Sequence, residues 1–425
     1  MDRLRHVIIG SSAAGTKAAE TLRRLRPEDD ITVISDEANP LYSRCLLPHL
    51  LGETRDEDGI RFRPGDFFSR WRLNRVLGAG VTAVEPHRSR VIIQDNSTLE
   101  YDRLLIATGS SSFIPPVPGL AGPRVLGLRT LDDARRIGAL AQESRRVVIV
   151  GAGFVGLEVA YALRRRGLEV TVVEKLPGIL PQQMDHEAAG IIQEDIEGAG
   201  VRLVLGTGIL QVRDGGGGSL RVILEDERVL EAGFVIVAAG TRPNVGFLDQ
   251  SGIHVERGIP VDGQMSTNVQ GVYAAGDVAV TVDAVTGSAG LTPIWPNAVV
   301  QGRVAGFNMA GKNRLYSSQI ALQNAVEFQD VPAVSLGLSR APGEGYEVIS
   351  VYNPSRGIYR KMVLREDTPV GMILVGDIRQ SGVVASLIRR KRPLAEDLKE
   401  AFLHGNLHTG HLLSFSTRRD RLGQG

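Results

Sequence analysis

Runs of apolar residues and helix-type spacing alternate in the same order at two places in the chain. In the clearer copy, residues 147–150 form a β-branched apolar run, and apolar positions follow with helical spacing over residues 155–163. Residues 170–173 form a second apolar run that ends on Glu174. Short β-branched runs favour buried strands, and recurrence every three to four residues favours a helix. The pattern therefore predicts a strand–helix–strand unit.

A glycine turn joins the first strand of this unit to its helix. Gly151 permits a tight turn, Gly153 lets backbone approach a pyrophosphate, and Gly156 lets the helix pack close to the strand. The helix N-terminus offers free N–H groups to phosphates, and the terminal acid can accept hydrogen bonds from a ribose diol. That acid favours NADH because it would repel a 2′-phosphate, whereas the lysine beside it counters the preference. The candidate dinucleotide-binding residues are Gly151, Gly153, Phe154, Val155, Gly156, Glu174 and Lys175.

The same pattern begins at the N-terminus. Residues 6–9 and 31–34 are the apolar runs, and Gly10, Ser12 and Gly15 stand at the positions of the three glycines. An acid pair follows the second run, one residue later than in the other copy. We interpret its first member as a ribose ligand rather than a solvated loop carboxylate. Two such units predict two different nucleotides that must meet. The candidate binding residues of this copy are Gly10, Ser12, Ala14, Gly15, Asp36 and Glu37.

The patterns outside these units complete the predicted domain organisation. Prolines 115, 116 and 118 form a stiff connector, which predicts a domain boundary. We predict an α/β fold with two three-layer dinucleotide-binding domains, in which residues 118–245 are inserted between residues 1–117 and 246–314. An α+β domain, residues 315–425, follows. The further predicted strands are residues 76–84, 90–94, 201–205, 209–212, 220–224, 346–352, 357–365 and 370–375, with a helix at 383–390.

Composition narrows the class of protein. The 425 residues exceed one ordinary core, and a net charge of +1 gives no global attraction for nucleic acid or acidic lipid. No apolar run approaches the ~18 residues of a membrane span. A strand that starts by residue 6 leaves no room for a signal peptide. The single cysteine excludes an internal disulfide, a Cys-x-x-Cys dithiol and a cysteine-ligated iron–sulfur cluster within this chain. We therefore expect a cytoplasmic protein without a nucleic-acid partner.

Longer stretches resemble the FAD-dependent pyridine nucleotide-disulfide oxidoreductase family. The resemblance rests on the two glycine turns, on Tyr-Ser-Arg at 42–44, on the Ala-Thr-Gly and Ala-Ala-Gly segments at 107–109 and 238–240, and on Thr-Asn-x-x-Gly-Val-Tyr-Ala-Ala-Gly-Asp at 267–277. The branch that it resembles contains rubredoxin reductase, the NADH-oxidising part of nitrite reductase, NADH oxidase and coenzyme A disulfide reductase. The chain is also similar to the FAD/NAD subunits of 2-oxoacid and aldehyde oxidoreductase complexes. The resemblance implies FAD in the first unit and NAD in the second.

The resemblance also implies individual roles. Asp36 and Arg44 match positions that hold the FAD ribose and phosphate region. Asp277 matches an aspartate on the ribitol chain of FAD, although a helix N-cap is a simpler alternative. Glu158 matches a glutamate near the flavin N5 that many relatives pair with a lysine, and His49 stands in the place of that lysine. The remaining candidates for cofactor binding are Thr108, Gly109, Gly240, Gly276, Pro296 and Asn297, the last two at the flavin edge.

Cys45 leaves the function of the chain open between two alternatives. It falls where coenzyme A disulfide reductases keep a single redox cysteine. A lone cysteine is also a small buried hydrophobe, whereas one that faces a flavin can be a thiolate stabilised by His49 or by a helix N-terminus. The first hypothesis is an NADH-linked FAD oxidoreductase that exchanges electrons with a rubredoxin or an iron–sulfur protein or subunit, by hydride transfer at flavin N5. The second is a disulfide, polysulfide or peroxide reductase, or an NADH oxidase, that uses Cys45. The candidate catalytic residues are therefore Cys45, His49 and Glu158, of which the last two position groups near flavin N5 in the first hypothesis.

Three further expectations concern turnover, metal binding and assembly. A redox-sensing or structural module that holds FAD without turnover is a third alternative, which the intact NADH motif argues against. His404, His408 and His411 have helical spacing, but Gly405 and Gly410 interrupt it, and no acid or cysteine joins them. We therefore expect no metal. A homodimer or a subunit of a larger complex is expected from the resemblance.

Overall fold

The computed structural model describes residues 3–316, 320 and 323–411. The first part of the chain forms four strands of a parallel sheet and a separate antiparallel sheet. A 3₁₀ turn, Arg44–Leu46, precedes its second helix. The elements in chain order are β1 (Arg5–Ile9), α1 (Ala13–Leu25), β2 (Asp30–Ser35), α2 (Leu47–Leu51), α3 (Phe67–Arg70), β3 (Asn74–Leu77), β4 (Val81–Glu85), β5 (Arg90–Ile93), β6 (Thr98–Glu100), β7 (Arg103–Ile106) and β8 (Ser110–Ser112).

The second part of the chain forms another parallel sheet with helices packed on it. A smaller antiparallel sheet of three strands packs against the parallel sheet through a shared apolar core. The elements are β9 (Val125–Gly127), α4 (Leu131–Glu143), β10 (Arg146–Val150), α5 (Phe154–Arg165), β11 (Glu169–Glu174), α6 (His186–Gly198), β12 (Arg202–Leu205), β13 (Ile209–Gly216), β14 (Ser219–Leu224), β15 (Val229–Ala232), β16 (Phe234–Val237) and β17 (Thr241–Pro243).

The chain then returns to the first sheet. The elements are β18 (Ile259–Pro260), β19 (Val272–Ala274), β20 (Ala279–Val282), β21 (Ala289–Leu291) and α7 (Trp295–Met309). The first parallel sheet has the strand order β19-β7-β1-β2-β3, and the second has the order β9-β16-β10-β11-β12. Because β19 follows every strand of the second sheet in the sequence, the second domain is inserted in the first. This topology agrees with the predicted fold class.

Close packing of two helices holds the first glycine turn in place. A Cβ atom added at Gly302 of α7 would lie 2.1 Å from the carbonyl oxygen of Ala14 in α1. One added at Gly306 would lie 2.9 Å from the carbonyl oxygen of Ala18. Both distances are too short for a side chain, so these glycines let the two backbones meet. Helix α7 therefore supports the start of α1 from the side.

Both connections between the two parallel sheets run through one antiparallel ribbon. Ser110 pairs with Pro243, and Ser112 pairs with Thr241, in the β8–β17 ladder. Ile114 and Val117 already pack with the core of the inserted domain. The chain therefore crosses between the domains at β8, a few residues before the predicted boundary at 117.

The C-terminal domain packs one face of its sheet on the inserted domain and the other on its own helices. The carboxylate of Asp185, at the N-terminus of α6, accepts hydrogen bonds from the Tyr359 hydroxyl and the Lys361 ammonium, each at 2.7 Å. This buried ion pair fixes the domain to α6. Its antiparallel sheet has the order β22-β23-β26-β25-β24, and the elements are β22 (Gln323–Phe328), β23 (Val331–Gly337), β24 (Tyr346–Asn353), β25 (Ile358–Arg365), β26 (Thr368–Val375), α8 (Ser381–Arg390) and α9 (Glu396–Leu403).

The pattern joins two strands of the first domain into one and misses two strands of the C-terminal domain. Residues 76–84 predict one strand, whereas Gly78 turns the chain with a φ of +77°. As a result β3 ends in the parallel sheet and β4 begins in the antiparallel one. The pattern also misses β22 and β23, because Pro332 within β23 weakens the strand signal. The predicted C-terminal domain, residues 315–425, extends beyond the described residues, which end at 411.

Candidate cofactor site

A cleft opens at the carboxyl ends of β1, β2 and β7, which is where ligands bind in open α/β sheets. It encloses about 600 Å³, a volume typical of small-molecule sites. Residues from the first domain and from the start of the inserted domain form its walls. The predicted site residues that line the cleft are Gly10, Ser12, Ala14, Asp36, Glu37, Arg44, Cys45, Thr108, Gly109, Gly276 and Asp277.

The first glycine turn forms the floor of the cleft. Gly10 has a φ of +111°, and a Cβ atom there would lie 2.1 Å from the carbonyl oxygen of Ala107. A Cβ atom at Gly15 would lie 1.8 Å from the carbonyl oxygen of Gly10. Side chains are therefore excluded at both positions. Helix α1 begins after Ser12, and its first turn lines the cleft, so its free N–H groups lie where the sequence predicts phosphates.

The acid pair after β2 divides into two environments. The Glu37 carboxylate accepts a hydrogen bond from the Tyr42 hydroxyl at 2.6 Å and forms an ion pair with Arg44. Arg44 also donates to the carbonyl oxygen of Arg129 in the inserted domain. Asp36 is exposed at the cleft. The structure therefore uses Glu37 to hold the 37–44 segment and leaves Asp36 available as the predicted ribose ligand.

Arg129 and Ser110 are cleft residues that the sequence analysis missed. Arg129 forms an ion pair with Asp277, and the Ser110 hydroxyl donates to the same carboxylate at 3.0 Å. Arg129 also donates from Nε to the carbonyl oxygen of Ser110 at 3.0 Å. The available signal was Thr130 followed by Asp133, a capping box that fixes the start of α4 beside Arg129. The strand β20 follows Asp277, so the helix N-cap alternative for this residue is wrong.

The two similar glycine-ended segments meet at the ribbon. The Thr108 hydroxyl donates to the carbonyl oxygen of Asn244 at 2.8 Å, and the Asn244 side-chain amide donates to the carbonyl oxygen of Thr108 at 3.0 Å. Gly109 and Gly240 turn the chain with φ values of +67° and +106°. Gly240 does not line the cleft, but its carbonyl oxygen accepts a hydrogen bond from the N–H of Phe113 at 2.9 Å. These bonds fix the cleft wall to the domain junction.

Cys45 lines the cleft, and Glu158 lies behind it on α5, close enough for its charge to act on the thiol. Cys45 lies in the 3₁₀ turn with its side chain exposed at the cleft. Partial burial raises the pKa of the Cys45 thiol, and the negative charge of Glu158 raises it further. Burial also raises the pKa of Glu158, on α5, to about 7. These surroundings disfavour a thiolate at Cys45.

His49 does not join this pair. Its Nδ1 atom lies 3.3 Å from the Thr54 hydroxyl, and the ring is exposed on α2. Burial of part of the ring and the charge of Arg55 lower the pKa of His49, while burial alone accounts for the raised pKa of Glu158. The structure therefore contradicts the expected pairing of His49 with Glu158, because α2 directs the imidazole to the loop that follows it.

The residues expected at the flavin edge lie outside the cleft. Asn297 is fully buried and donates to the carbonyl oxygen of Ile320 at 3.2 Å, and Pro296 is exposed. Trp295 and Ala298 line the cleft instead. Residues three apart share one face of a helix, so this face of α7, and not the one next to it, borders the site.

The second glycine turn repeats the geometry of the first. A Cβ atom at Gly151 would lie 2.6 Å from a carbonyl oxygen of the neighbouring strand segment, and one at Gly156 would lie 2.0 Å from the carbonyl oxygen of Gly151. A Cβ atom at Gly153 would meet nothing within 4 Å, so the space beside it is open. Helix α5 begins directly after Gly153 with Phe154 and Val155. The turn thus has the close approaches and the open face that a pyrophosphate site needs.

The acid at the end of β11 is held by backbone. The Glu174 carboxylate accepts hydrogen bonds from the N–H groups of Ala152 and Leu176, each at 2.9 Å. It therefore lies beside the glycine turn, where the motif predicts a ribose. The ammonium of Lys175 lies 2.9 Å from a carboxylate oxygen of Glu225.

The described part of the chain contains no group of three or more histidine, cysteine or acidic side chains that could hold a metal ion. The rings of His408 and His411 stack with their centroids 3.9 Å apart. No helix among the described residues is long and apolar enough to cross a membrane.

Two similar parallel sheets, each with a glycine turn and a terminal acid, define a two-nucleotide flavoprotein fold. Residues 4–302 match the pyridine nucleotide-disulphide oxidoreductase family, and residues 324–392 match the rubredoxin NAD+ reductase C-terminal domain. The chain therefore belongs to this family and is an FAD-dependent NAD(P)H oxidoreductase.

Individual relatives agree with this assignment over most of the chain. The chain is 33% identical, over 99% of both proteins, to NADH-dependent phenylglyoxylate dehydrogenase subunit epsilon of Aromatoleum evansii. It is 32% identical, over 88% of each, to NADH oxidase of Methanocaldococcus jannaschii. The solved NAD-dependent persulfide reductase from A. fulgidus has a TM-score of 0.85 and 27% identity, and the match covers 91% of this chain and 77% of that one.

The cleft fits the cofactor that the family implies. Its floor is a glycine turn in which added Cβ atoms would collide with the backbone, and the N-terminus of helix α1 lies beside this turn. An exposed carboxylate, Asp36, lies at the end of the second strand, where a ribose diol is bound in this kind of fold. The residues present therefore suit FAD.

Proposed function

We propose that this protein links NADH to a one-electron carrier, a rubredoxin or an iron–sulfur protein or subunit, through FAD. The support is similarity over the whole chain to a protein that is named as one subunit of an NADH-dependent dehydrogenase. The C-terminal match to the rubredoxin reductase domain adds to it. The physiological direction of electron flow depends on that partner.

In this proposal the chain binds and orients two nucleotides. Gly10, Ser12, Gly15 and the N-terminus of α1 hold the FAD pyrophosphate, and Asp36 holds its ribose. Gly151, Gly153 and Gly156 hold NADH, with Glu174 on its ribose. When bound, FAD supplies the chemistry, because it accepts two electrons as a hydride from NADH and can release them one at a time. Asp277 and Arg129 form the charged pair that lines the remaining wall of the cleft.

The observation that carries the proposal is the environment of Cys45. A cysteine that attacks disulfides or persulfides reacts as the thiolate. Here partial burial and the Glu158 carboxylate raise the pKa of the only cysteine in the chain. These surroundings favour the thiol form of Cys45 and thus support a function in which the flavin alone exchanges electrons.

An anaerobic titration of the purified, air-oxidised holoprotein with NADH tests this proposal. The flavin absorbance is followed while electrons taken up per flavin are counted. We expect uptake of two electrons, and we expect Cys45→Ser to retain full NADH-dependent reduction of an artificial dye. Uptake of four electrons would mean that Cys45 is isolated in an oxidised form, as a mixed disulfide or sulfenic acid. That result would replace this proposal with the thiol mechanism.

A second function, NADH-dependent disulfide or persulfide reduction at Cys45, has one observation in its favour. Cys45 is exposed in the same cleft that suits FAD. The solved relative named as a persulfide reductase shares the fold. In this case Cys45→Ser should abolish turnover with a disulfide or persulfide while dye reduction persists.

A further inference from the structure

A positively charged residue, Lys175, directly follows the ribose-binding acid, and a positive charge there would attract the 2′-phosphate of NADPH. Basic side chains near this position bind the 2′-phosphate of NADPH in related folds. Lys175 stands there, directly after Glu174. A free lysine at this position would weaken the discrimination that Glu174 provides. Its actual position in the structure therefore decides which nucleotide the site favours.

Lys175 is held by a carboxylate from another strand pair. Its ammonium lies 2.9 Å from one oxygen of Glu225, in the turn after β14. The other oxygen of Glu225 accepts a hydrogen bond from the N–H of Gly208 at 3.2 Å. The N–H of Glu225 in turn donates to the carbonyl oxygen of Gly208 at 2.9 Å. Both carboxylate oxygens are thus occupied, and the side chain is aligned on Lys175.

The same loop fixes Glu225 relative to the nucleotide acid. The N–H of Thr207 donates to the carbonyl oxygen of Glu174 at 3.2 Å, and the N–H of Gly206 donates to the carbonyl oxygen of Leu176 at 3.0 Å. Residues 206–208 therefore bridge the end of β11 and the Glu225 turn. Hydrogen bonds from Lys175 and Gly208 also keep the pKa of Glu225 below its usual value, so its carboxylate is charged at neutral pH.

We propose that Glu225 is a specificity-determining residue that excludes NADPH by holding Lys175 away from the 2′-phosphate. Glu225 acts through Lys175 and is a positioning residue, not a catalytic one. The proposal rests on the NADH site described under Proposed function. It assigns the selectivity of the site to two carboxylates: Glu174 repels the 2′-phosphate, and Glu225 withholds the cation that would attract it.

Steady-state kinetics of the holoprotein with NADPH and with NADH test this assignment. Glu225→Gln removes the negative charge that holds Lys175 and replaces one of the two accepting oxygens by an NH2 group, so the ion pair is lost. We expect the KM for NADPH to fall by up to about fivefold, which corresponds to the ~1 kcal/mol upper end for an exposed ion pair, with little change in kcat. In the double variant Glu225→Gln/Lys175→Met, the KM for NADPH should return to the wild-type value. This return shows that the gain requires the lysine, and a charge control separates it from the general loss of one negative charge.

Asp226→Asn is the matched control, because it removes a charge from the same turn while Asp226 pairs with Arg228. We expect it to leave the KM for NADPH unchanged. An unchanged KM in Glu225→Gln, or a gain that persists in the double variant, would overturn the assignment while the NADH reaction stands. Absence of flavin reduction by either nucleotide would overturn both the proposed function and this assignment.

Discussion

The effect of the Glu158 charge on Cys45 can be tested without a substrate. Cys45 titrates above the ordinary range of a thiol, where Glu158, with a pKa of about 7, is already ionised. Replacing Glu158 by Gln removes that charge and keeps the shape of the side chain. Like charges close enough to perturb one another interact by roughly 1 kcal/mol in bulk water and by up to roughly 4 kcal/mol near a protein surface. We therefore expect the pKa of Cys45 to fall by about one unit, ~1.4 kcal/mol.

Alkylation measures this change directly, because Cys45 is the only cysteine in the chain. The rate of iodoacetamide modification is followed by intact mass as a function of pH, in wild type and in Glu158→Gln. The midpoint of the profile gives the thiol pKa. One unit corresponds to about tenfold more thiolate where Glu158 is fully ionised, so the variant should react about tenfold faster at a pH above the pKa of Glu158 and below the thiol midpoint. At pH 7, where about half of Glu158 is already neutral, the difference should shrink to about twofold.

A matched variant guards against a general effect of charge. Glu169→Gln removes an exposed carboxylate that pairs with Arg146 at the start of β11. It should leave the profile of Cys45 unchanged. If Glu158→Gln also leaves the midpoint unchanged, the charge of Glu158 does not act on Cys45, and burial or another group raises the pKa of the thiol.

Three further predictions concern stability. Gly156→Ala should lower the free energy of unfolding by about 1–3 kcal/mol, because its Cβ atom would lie 2.0 Å from a carbonyl oxygen. Gly153→Ala should leave the melting temperature unchanged, because its Cβ atom would point into open space, but it should weaken NADH binding. Lys361→Met should cost about 3–5 kcal/mol in urea unfolding, because it leaves Asp185 buried without its cation. Burial raises the pKa of Glu158 from 4.5 to about 7, so its neutral form stabilises the fold at low pH, and this contribution is lost as the pH rises through 7. Glu158→Gln should therefore reduce the fall in the free energy of unfolding over this pH range.

Local signals in the sequence were sufficient for the two nucleotide turns. In each copy a strand, a glycine turn, a helix and a second strand are contiguous, and the pairing of Val150 with Val173 joins residues of one short segment. The acid arrives one residue later in the first copy for a reason that the sequence alone does not show. There the Ser11 hydroxyl donates to the Ser35 hydroxyl at 3.0 Å, at the place where Glu174 lies in the second copy.

Contacts between distant segments were beyond such patterns. Arg129 and Asp277 are 148 residues apart, and nothing near either of them indicates the other. The expected pairing of His49 with Glu158 is wrong because the short helix α2 directs the His49 side chain towards Thr54. The prediction that Asn297 lies at the flavin edge is wrong for a similar reason, because only one face of α7 borders the cleft and Asn297 lies on another.

The β8–β17 ribbon has a consequence for how such a protein can be rebuilt. Because the chain leaves and re-enters the first domain through two hydrogen-bonded neighbours, the ends of the inserted domain are already adjacent. Adjacent ends are the condition under which domain insertion and exchange are tolerated. The segment between β8 and β17 is therefore a natural cassette, which can be exchanged for that of a relative with different nucleotide preference while the other sheet keeps its strand order.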